Sequence, residues 1–464
     1  MAGRLLRICM NTDSAISHTA RRLGVIHDHV RVSKRHCSEQ TENVKNPTIA
    51  VNPLHGMVDE TVHISLKGFP AQQNVTLVAS LIENNVHFES RCVYKTDDDG
   101  CADNFSSESA GGTFCGIEPM GLFWSLQSDP QVRLIKRDVH TPMIFNIKAF
   151  QGIHIENKLP QKPATEIQVH RLFKKHGVKS IPLPGKFQGT VFIPEGEGPF
   201  PTLLDLYGGI VSLVETRAAM LASHGYVTMA LCYLYRPDLP QSLKEVDLHY
   251  IQDAIHWLLE QDYVDEKRFG SVGLCFGGTV TLKLTSLLPQ IRAMINVNGF
   301  CVGPSEHIKF PGFLTTTDTE WPDQSKVFHT EEGFDITNVY DCENAVPIPA
   351  WQHGAKVLII VGEDDKQVHP KWHSYFYEKC PDIYKSNIQL YHYPGAGHLI
   401  EPPHTPHVRN IVPGKKRLEK IFFIPEKYHD TPMMSGGWTA THAHAQEDSW
   451  KKILKFLEDN VKNI

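Results

Sequence analysis

The sequence lacks long apolar runs, paired cysteines and an excess of positive charge. No apolar stretch approaches the roughly 18–20 residues of a membrane-spanning helix, so no transmembrane segment is expected. The ten cysteines form no C-x-x-C pair, which excludes zinc-knuckle and thioredoxin-type motifs. A net charge of −6 argues against a nucleic-acid binder that acts through overall charge. No secretory signal is visible either, so an intracellular, soluble protein with free thiols is expected.

The N-terminal residues differ in charge from the rest of the chain. Residues 1–46 contain eight basic and four acidic residues, which leaves a net charge of −10 for the remainder. An Arg-rich, acid-poor leader is typical of a mitochondrial transit peptide, and a disordered basic tail is the alternative. The mitochondrial matrix is therefore one expected location, and the cytosol is the other. The last residues, 462–464 (KNI), are not the S-K-L peroxisomal address.

A chain of 464 residues is long enough for two or three domains, and its apolar pattern changes along its length. Residues 47–165 contain short alternating strands between turn-rich pieces, which predict an antiparallel β-sandwich. Residues 166–185 are predicted to form a linker or an exchanging strand. Over residues 186–464, strand-length apolar runs alternate with helical patterns, which predicts a mostly parallel sheet covered by helices on both faces. A monomer is expected.

A glycine-flanked cysteine follows one of these predicted strands and precedes a predicted helix. Residues 273–278 (GLCFGG) have the pattern of a nucleophile elbow, with Cys275 in the place of the usual serine. Gly273 and Gly277 are small enough for the tight turn, and the start of a helix favours a thiolate. The backbone N–H of Phe276 is predicted to point into an oxyanion hole. A buried structural cysteine in an ordinary turn is the alternative.

An acid and a histidine follow later strands in the order that an α/β-hydrolase fold requires. Residues 362–366 (GEDDK) come after one predicted strand, and residues 394–398 (PGAGH) come after the next. We therefore predict a Cys–Asp–His triad in which His398 is the base and Asp365 orients it. A solvated loop is the alternative for the acids, and one of 26 ordinary histidines is the alternative for His398.

A second oxyanion donor is predicted after the strand at residues 202–206. Gly208 and Gly209 follow that strand, and glycine allows the backbone to approach the substrate oxygen closely. An ordinary strand-to-helix turn is the alternative.

Several longer motifs resemble those of the acyl-CoA thioesterase / bile acid-CoA:amino acid N-acyltransferase family. They are residues 118–126 (EPMGLFWSL), 133–138 (RLIKRD), 394–403 (PGAGHLIEPP) and 443–446 (AHAQ). The resemblance covers about residues 50–460. It implies an acyl-CoA substrate, a covalent acyl-enzyme, and neither a metal nor an organic cofactor. It also places the catalytic acid at the second aspartate of the pair, Asp365 rather than Asp364.

The resemblance leaves open which acceptor takes the acyl group. Residues 210–212 (IVS) stand where the family has a glycine run, and Cys275 is typical of its N-acyltransferases, whereas the double glycine at 277–278 is more typical of its thioesterases. Amines attack thioesters readily relative to water, so transfer to glycine or taurine is the first alternative. No acceptor pocket is recognisable, so hydrolysis of fatty acyl-CoA to free fatty acid and CoA is the simpler expectation.

Two further alternatives are a dienelactone-type ester hydrolase and a non-catalytic acyl-CoA-binding scaffold. The N-terminal β domain argues against the first, and the intact triad argues against the second. The many histidines suggest metal binding, and residues 442–444 (HAH) would present two rings on one face of a strand. No third ligand has zinc-like spacing, so no metal site is expected.

Overall fold

The computed structural model describes residues 46–156, 158–209, 213–304, 323–339, 341, 344–412 and 431–463. The predicted leader therefore lies outside the described residues apart from its last position, and so do residues 210–212. None of the helices in these ranges is long and apolar enough to cross a bilayer.

Two sheets build the N-terminal β-rich domain. Their strands are β1 (Thr48–Asn52), β2 (His55–Met57), β3 (His63–Lys67), β4 (Asn74–Glu83), β5 (Val86–Lys95), β6 (Ala102–Asp103), β7 (Met143–Gln151) and β8 (Thr165–Leu172). The small sheet has the order β1-β3-β6 and the large one β2-β8-β7-β4-β5. Every pairing is antiparallel except that of β2 with β8. One short helix, α1 (Gly121–Trp124), is buried along its whole length.

Local sequence explains these strands well. In β7, Phe145 and Ile147 face the core with 1% and 0% exposure, whereas the neighbouring Ile144 is 43% exposed. This alternation is the period-two pattern of a strand with one covered face. Strands β4 and β5 are joined by Asn84 and Asn85, which have φ angles of 51° and 62°. Asparagine tolerates positive φ, as a two-residue type I′ hairpin turn requires.

The segment predicted as a linker or an exchanging strand, residues 166–185, contains most of strand β8. Strand β8 occupies residues 165–172 and pairs with β7 over seven residues. Val169, Arg171 and Phe173 are buried with 0%, 1% and 2% exposure, so alternate side chains point into the core. Because Arg171 is charged, the apolar alternation of this strand is interrupted in the sequence.

The α/β domain contains a second series of strands. They are β9 (Lys179–Pro182), β10 (Gln188–Ile193), β11 (Phe200–Leu206), β12 (Val227–Cys232), β13 (Val264–Leu274), β14 (Ala293–Val297), β15 (Val302–Pro304), β16 (Phe328–His329), β17 (Phe334–Asp335), β18 (Ala345–Pro347), β19 (Lys356–Gly362), β20 (Ile388–Tyr393), β21 (Asn410–Ile411) and β22 (Met433–Met434). Eight of them form one sheet in the order β9-β10-β12-β11-β13-β14-β19-β20, parallel from β12 to β20. This topology confirms the α/β-hydrolase fold predicted after an N-terminal β domain.

Helices cover both faces of this sheet. They are α2 (Thr216–Ser223), α3 (Leu248–Leu259), α4 (Phe276–Leu287), α5 (Lys371–Lys379), α6 (Asp382–Lys385) and α7 (Thr439–Leu457). In β19, Leu358 and Ile360 pack into one apolar cluster, whereas Val357, Ile359 and Val361 pack into the other. A strand that is buried on both faces has the continuous apolar sequence seen here.

The β domain packs directly on the α/β domain. One apolar cluster contains side chains from both domains, including Phe123 of α1 and Trp450 of α7. Asp59 accepts a hydrogen bond from Trp450 Nε1 at 2.9 Å and lies 2.6 Å from His224 Nε2. The two domains therefore share a core, which brings segments of the first domain close to loops of the second.

Candidate active site

Cys275 lies at the turn between β13 and α4. Its backbone has a φ of 57° and a ψ of −130°, and its N–H donates to Val297 O at 2.9 Å. A non-glycine residue rarely adopts this conformation, and such strain is typical of functional sites. The thiol is half-buried at the carboxyl edge of the sheet, where the ends of parallel strands bring functional loops together.

The two glycines predicted to permit this turn leave no room for side chains. A Cβ atom at Gly277 would lie 2.3 Å from Leu206 O, and one at Gly273 would lie 2.4 Å from Gly277 O. These contacts are with backbone atoms, which cannot move without shifting β11 or α4. Close backbone approach, rather than flexibility, therefore explains both glycines.

The structure brings His398 and Asp365 together in the buried interior of the site. Asp365 Oδ2 accepts a hydrogen bond from His398 Nδ1 at 2.7 Å, and both side chains are 0% exposed. Asp365 Oδ1 accepts from the backbone N–H groups of Gln367 and Val368 at 2.7 and 3.0 Å. Since the carboxylate is an acceptor, Nδ1 carries the proton, and Nε2 is left to act as a base.

The neighbouring acid has a different environment. Asp364 Oδ2 accepts from Arg409 Nη1 at 3.0 Å and from Gly437 N at 2.8 Å, and its Oδ1 lies 3.0 Å from Lys366 Nζ. Asp364 thus binds side chains and backbone of neighbouring loops, whereas Asp365 is the acid that hydrogen-bonds to His398. The role of Asp365 as the orienting acid stays a prediction.

Cys275 and His398 interact electrostatically. Burial raises the pKa of the Cys275 thiol, but the charge of His398 and nearby backbone N–H groups lower that pKa more, to below its ordinary value. Burial lowers the pKa of His398, whereas the charges of Asp365 and Cys275 raise it to about 10. These opposite shifts favour a thiolate–imidazolium pair, the reactive form of a cysteine nucleophile.

Other buried cysteines behave differently. Burial raises the pKa of Cys92 to about 12 and also raises the pKa of Cys301. Both have 0% exposure. The lowered pKa of Cys275 therefore comes from its partners and not from its position in the fold.

Two backbone N–H groups contribute to the electrostatics at the thiol. Hydrogen bonds from Gly209 and Phe276 are among the interactions that lower the pKa of Cys275. Both residues were predicted as oxyanion donors, and N–H groups that stabilise a thiolate can in general also stabilise an oxyanion. Their role as donors stays a prediction. Gly208 lies against the nucleophile, since a Cβ atom there would be 2.8 Å from Cys275 Cβ. Its predicted role as a donor stays a prediction.

Asn298, which was not predicted, connects the loops of the acid and the base. Its Nδ2 donates to His398 O at 2.7 Å and Gly397 O at 3.1 Å, and its Oδ1 accepts from Gly362 N at 2.8 Å. The side chain is 0% exposed, and its φ is 50°. The only sequence signal is a polar residue directly after the apolar strand β14.

The histidines at 442 and 444 lie on helix α7 and not on a strand. His442 is buried, accepts from Gly397 N at 3.0 Å through Nδ1 and donates to Leu399 O at 2.9 Å through Nε2. His444 is exposed and lies 2.9 Å from Glu118. The helical period of 3.6 residues places these neighbours on different faces. In the part of the chain that the structure describes, no group of three or more His, Cys, Asp or Glu residues is arranged to hold a metal ion.

Known proteins resemble this chain along nearly its whole length. The family model described as BAAT / Acyl-CoA thioester hydrolase C terminal matches residues 246–463, and the Acyl-CoA thioester hydrolase/BAAT N-terminal region matches residues 59–184. The bile acid-CoA:amino acid N-acyltransferase of Mus musculus is 35% identical over 88% of this chain and 96% of that protein. Acyl-coenzyme A thioesterase 1 of Homo sapiens is 32% identical over 87% and 94%.

A solved structure, the alpha/beta hydrolase GrgF from Penicillium sp. sh18, covers 61% of this chain and 99% of its own, with 15% identity and a TM-score of 0.35.

The family matches cover both domains, and the relatives match at more than 30% identity over most of their length. The chain is therefore an enzyme of the acyl-CoA thioesterase / bile acid-CoA:amino acid N-acyltransferase family.

Proposed function

We propose that this enzyme hydrolyses fatty acyl-CoA to free fatty acid and CoA through an acyl-cysteine intermediate on Cys275. The observation that carries this proposal is the thiol of lowered pKa beside a buried histidine, His398, that is oriented by Asp365. The acyl-CoA substrate follows from the family. A half-buried cysteine with these two partners has the chemistry of a nucleophile–base–acid triad.

In acylation, the Cys275 thiolate attacks the thioester carbonyl carbon and forms a tetrahedral intermediate. The N–H groups of Gly209 and Phe276, which lower the pKa of the thiol, stabilise the negative oxygen. When the intermediate collapses, the bond to the CoA sulfur breaks and the imidazolium of His398 protonates that sulfur. Free CoA leaves, and the acyl group remains on Cys275 as a thioester.

In deacylation, His398 removes a proton from water as the water oxygen attacks the acyl-cysteine. The second tetrahedral intermediate collapses with cleavage of the bond to the Cys275 sulfur, which returns as a thiolate beside the protonated imidazole. Asp365 orients His398 in both steps and stabilises the imidazolium through its 2.7 Å hydrogen bond. The products are one fatty acid and one CoA per water consumed.

Transfer to an amino acid is the second candidate, and the identity of the nucleophile favours it. A cysteine forms an acyl thioester, which amines attack readily relative to water. In this reaction glycine or taurine replaces water, His398 accepts the amine proton, and the product is an amide. Several of the curated relatives are named as N-acyltransferases, including the mouse protein described above.

A CoA-release assay with product mass analysis separates the two candidates. Fatty acyl-CoAs of several chain lengths and a bile acid-CoA are offered with and without glycine or taurine. A free acid whose yield is unaffected by amine supports hydrolysis, whereas an amide that forms at the expense of the acid supports transfer. Simple esters and lactones in the same panel test the ester-hydrolase alternative.

The cysteine variants test the intermediate itself. Cys275→Ala is expected to abolish CoA release, whereas Cys101→Ala, a change at another half-buried cysteine, is expected to retain it. Mass analysis after brief mixing, acid quenching and digestion should detect an acyl adduct on the peptide that contains Cys275. CoA release that survives Cys275→Ala would exclude the acyl-cysteine mechanism.

A further inference from the structure

Arg133 belongs to the N-terminal β domain, yet its side chain contacts two loops of the α/β domain. Its guanidinium lies 2.6 Å from Glu401 and also donates to the hydroxyl group of Tyr207. The Arg133 and Glu401 side chains are only 13% and 17% exposed. A charged side chain is rarely buried so far unless it is paired, and here both partners come from the other domain.

These three side chains form a closed cluster. The hydroxyl of Tyr207 donates to Glu401 Oε1, while Arg133 Nε donates to Glu401 Oε2 at 3.2 Å. The guanidinium carbon also lies 5.5 Å from the centre of the Tyr207 ring. Burial lowers the pKa of Arg133, but Glu401 and Tyr207 raise it to a net value above the ordinary one, so the guanidinium is charged at every physiological pH.

The positions of the two loop residues relate this cluster to the reaction. Tyr207 immediately precedes Gly208 and Gly209, and the N–H of Gly209 contributes to the low pKa of the Cys275 thiol. Tyr207 is held at its other end as well, because its carbonyl oxygen accepts from the Tyr233 hydroxyl at 2.6 Å.

Glu401 follows His398 by three residues in the loop that carries the base. A movement of Glu401 is therefore transmitted through a very short stretch of backbone to His398. The same guanidinium thus contacts one residue of the oxyanion loop, here residues 207–209, and one residue of the histidine loop, residues 394–401.

We propose that Arg133 is a positioning residue supplied by the N-terminal domain, which holds the oxyanion loop and the histidine loop in register around Cys275. The proposal rests on the acyl-cysteine chemistry proposed above for its kinetic consequence, but the reactivity of the thiol tests it independently. It also assigns the β domain a direct part in the geometry of the active site.

Stability alone does not explain the cluster. Replacing a buried ion pair with apolar residues is often neutral or stabilising, so such pairs are weak evidence for a purely structural role. A fork-shaped guanidinium, in contrast, fixes the relative position of two acceptors.

The test is the pH dependence of Cys275 alkylation by iodoacetamide. The folded full-length protein is alkylated and then digested, and mass analysis of the peptides gives the extent of reaction at Cys275. Arg133→Met should let both loops shift and thereby weaken the interactions that stabilise the Cys275 thiolate. The apparent pKa of the thiol should rise by about one unit, which is the effect of losing one hydrogen bond to a charged group. Tyr207→Phe, which removes only the hydroxyl, should shift it in the same direction by less. Tyr207→Phe also provides the answer if Arg133→Met does not fold.

Asp59→Asn is the matched control. Asp59 also contacts the other domain, through His224 and Trp450, but its partners lie at the end of α2 and on α7. It should lower the melting temperature without moving the alkylation profile. Arg133→Lys, which keeps a charge beside Glu401, should recover part of the shift.

Kinetics give a second readout. Arg133→Met should lower kcat for CoA release by roughly a hundredfold with little change in KM, which is the size expected for small displacements of catalytic groups. An alkylation profile in Arg133→Met and Tyr207→Phe that matches the wild type overturns the proposal, and so does an equal shift in Asp59→Asn. A low-pKa thiol without CoA release in the wild type would refute the proposed reaction and leave the positioning role intact.

Discussion

Asn298→Asp is expected to damage the site severely although the two side chains have nearly the same size. In the wild type, Asn298 Nδ2 donates to the carbonyl oxygens of Gly397 and His398. In the variant, a carboxylate oxygen faces those two acceptors in a position with 0% exposure. Two attractive contacts thus become repulsive, while the contact with Gly362 N–H is kept.

The magnitude follows from the groups left without partners. A buried polar group that loses its hydrogen bond costs about 1–3 kcal/mol, and two carbonyls lose theirs. We therefore expect the free energy of unfolding to fall by about 4 kcal/mol at neutral pH. Since burial raises the pKa of the introduced carboxyl group, it becomes protonated on acidification and can donate one bond. The loss of stability should accordingly shrink as the pH falls.

Urea unfolding and CoA release measure the two consequences. The loop that carries His398 would shift, so kcat should decrease roughly a hundredfold. Asn296→Asp is the matched control, because Asn296 is equally buried and its side chain bonds to the backbone of Gly299 rather than to the histidine loop. It should lose stability while its kcat changes much less. An Asn298→Asp protein within about 0.5 kcal/mol of the wild type would refute this reasoning.

The remaining predictions concern the acid pair, the elbow and the buried histidines. Asp365→Asn should lower kcat by up to about 10⁴-fold through loss of the orienting carboxylate, whereas Asp364→Asn should keep most of the activity; equal losses in the CoA-release assay would contradict the assignment. Gly277→Ala, whose Cβ would lie 2.3 Å from a backbone oxygen, should cost about 3 kcal/mol in a urea melt, and a wild-type midpoint would oppose it. Burial lowers the pKa of His407 to about 4 and that of His442 well below its ordinary value. The unfolded chain therefore takes up protons at these histidines before the folded state does, so stability should decrease as the pH falls below about 6.5, by on the order of 3 kcal/mol for His407 down to pH 4; a His442→Gln variant with an equally steep pH profile would contradict this.

Much of the fold could be predicted because its signals are local. The buried strands of the central sheet are continuous apolar runs, as in β19 (Lys356–Gly362), and the alternation of strand and helix follows from them. The chain order of Cys275, Asp365 and His398 at successive strand ends also depends only on sequence and fold class. The structure brings the latter two within 2.7 Å of each other.

Other features depend on contacts between distant parts of the chain. Residues 166–185 could be predicted only as a linker or an exchanging strand, because the buried Arg171 interrupts the apolar alternation of β8. The histidines at 442 and 444 were considered as a pair on a strand, whereas they lie on a helix with different environments. Asn298 and Arg133 are single polar residues whose partners are 64 to 268 positions away, and no local pattern indicates such partners.

The supports of the histidine loop have a common consequence for the nucleophile. Burial by itself raises the pKa of a thiol in this fold, as Cys92 and Cys301 demonstrate. At Cys275 the charge of His398 and nearby N–H groups must therefore overcome burial before a thiolate forms. Coulomb attraction falls with distance, so the gain is lost if the base moves away. Residues that fix the loop from outside, Asn298 and His442 through its backbone and Arg133 through Glu401, should consequently alter thiol reactivity although none of them is predicted to touch the substrate.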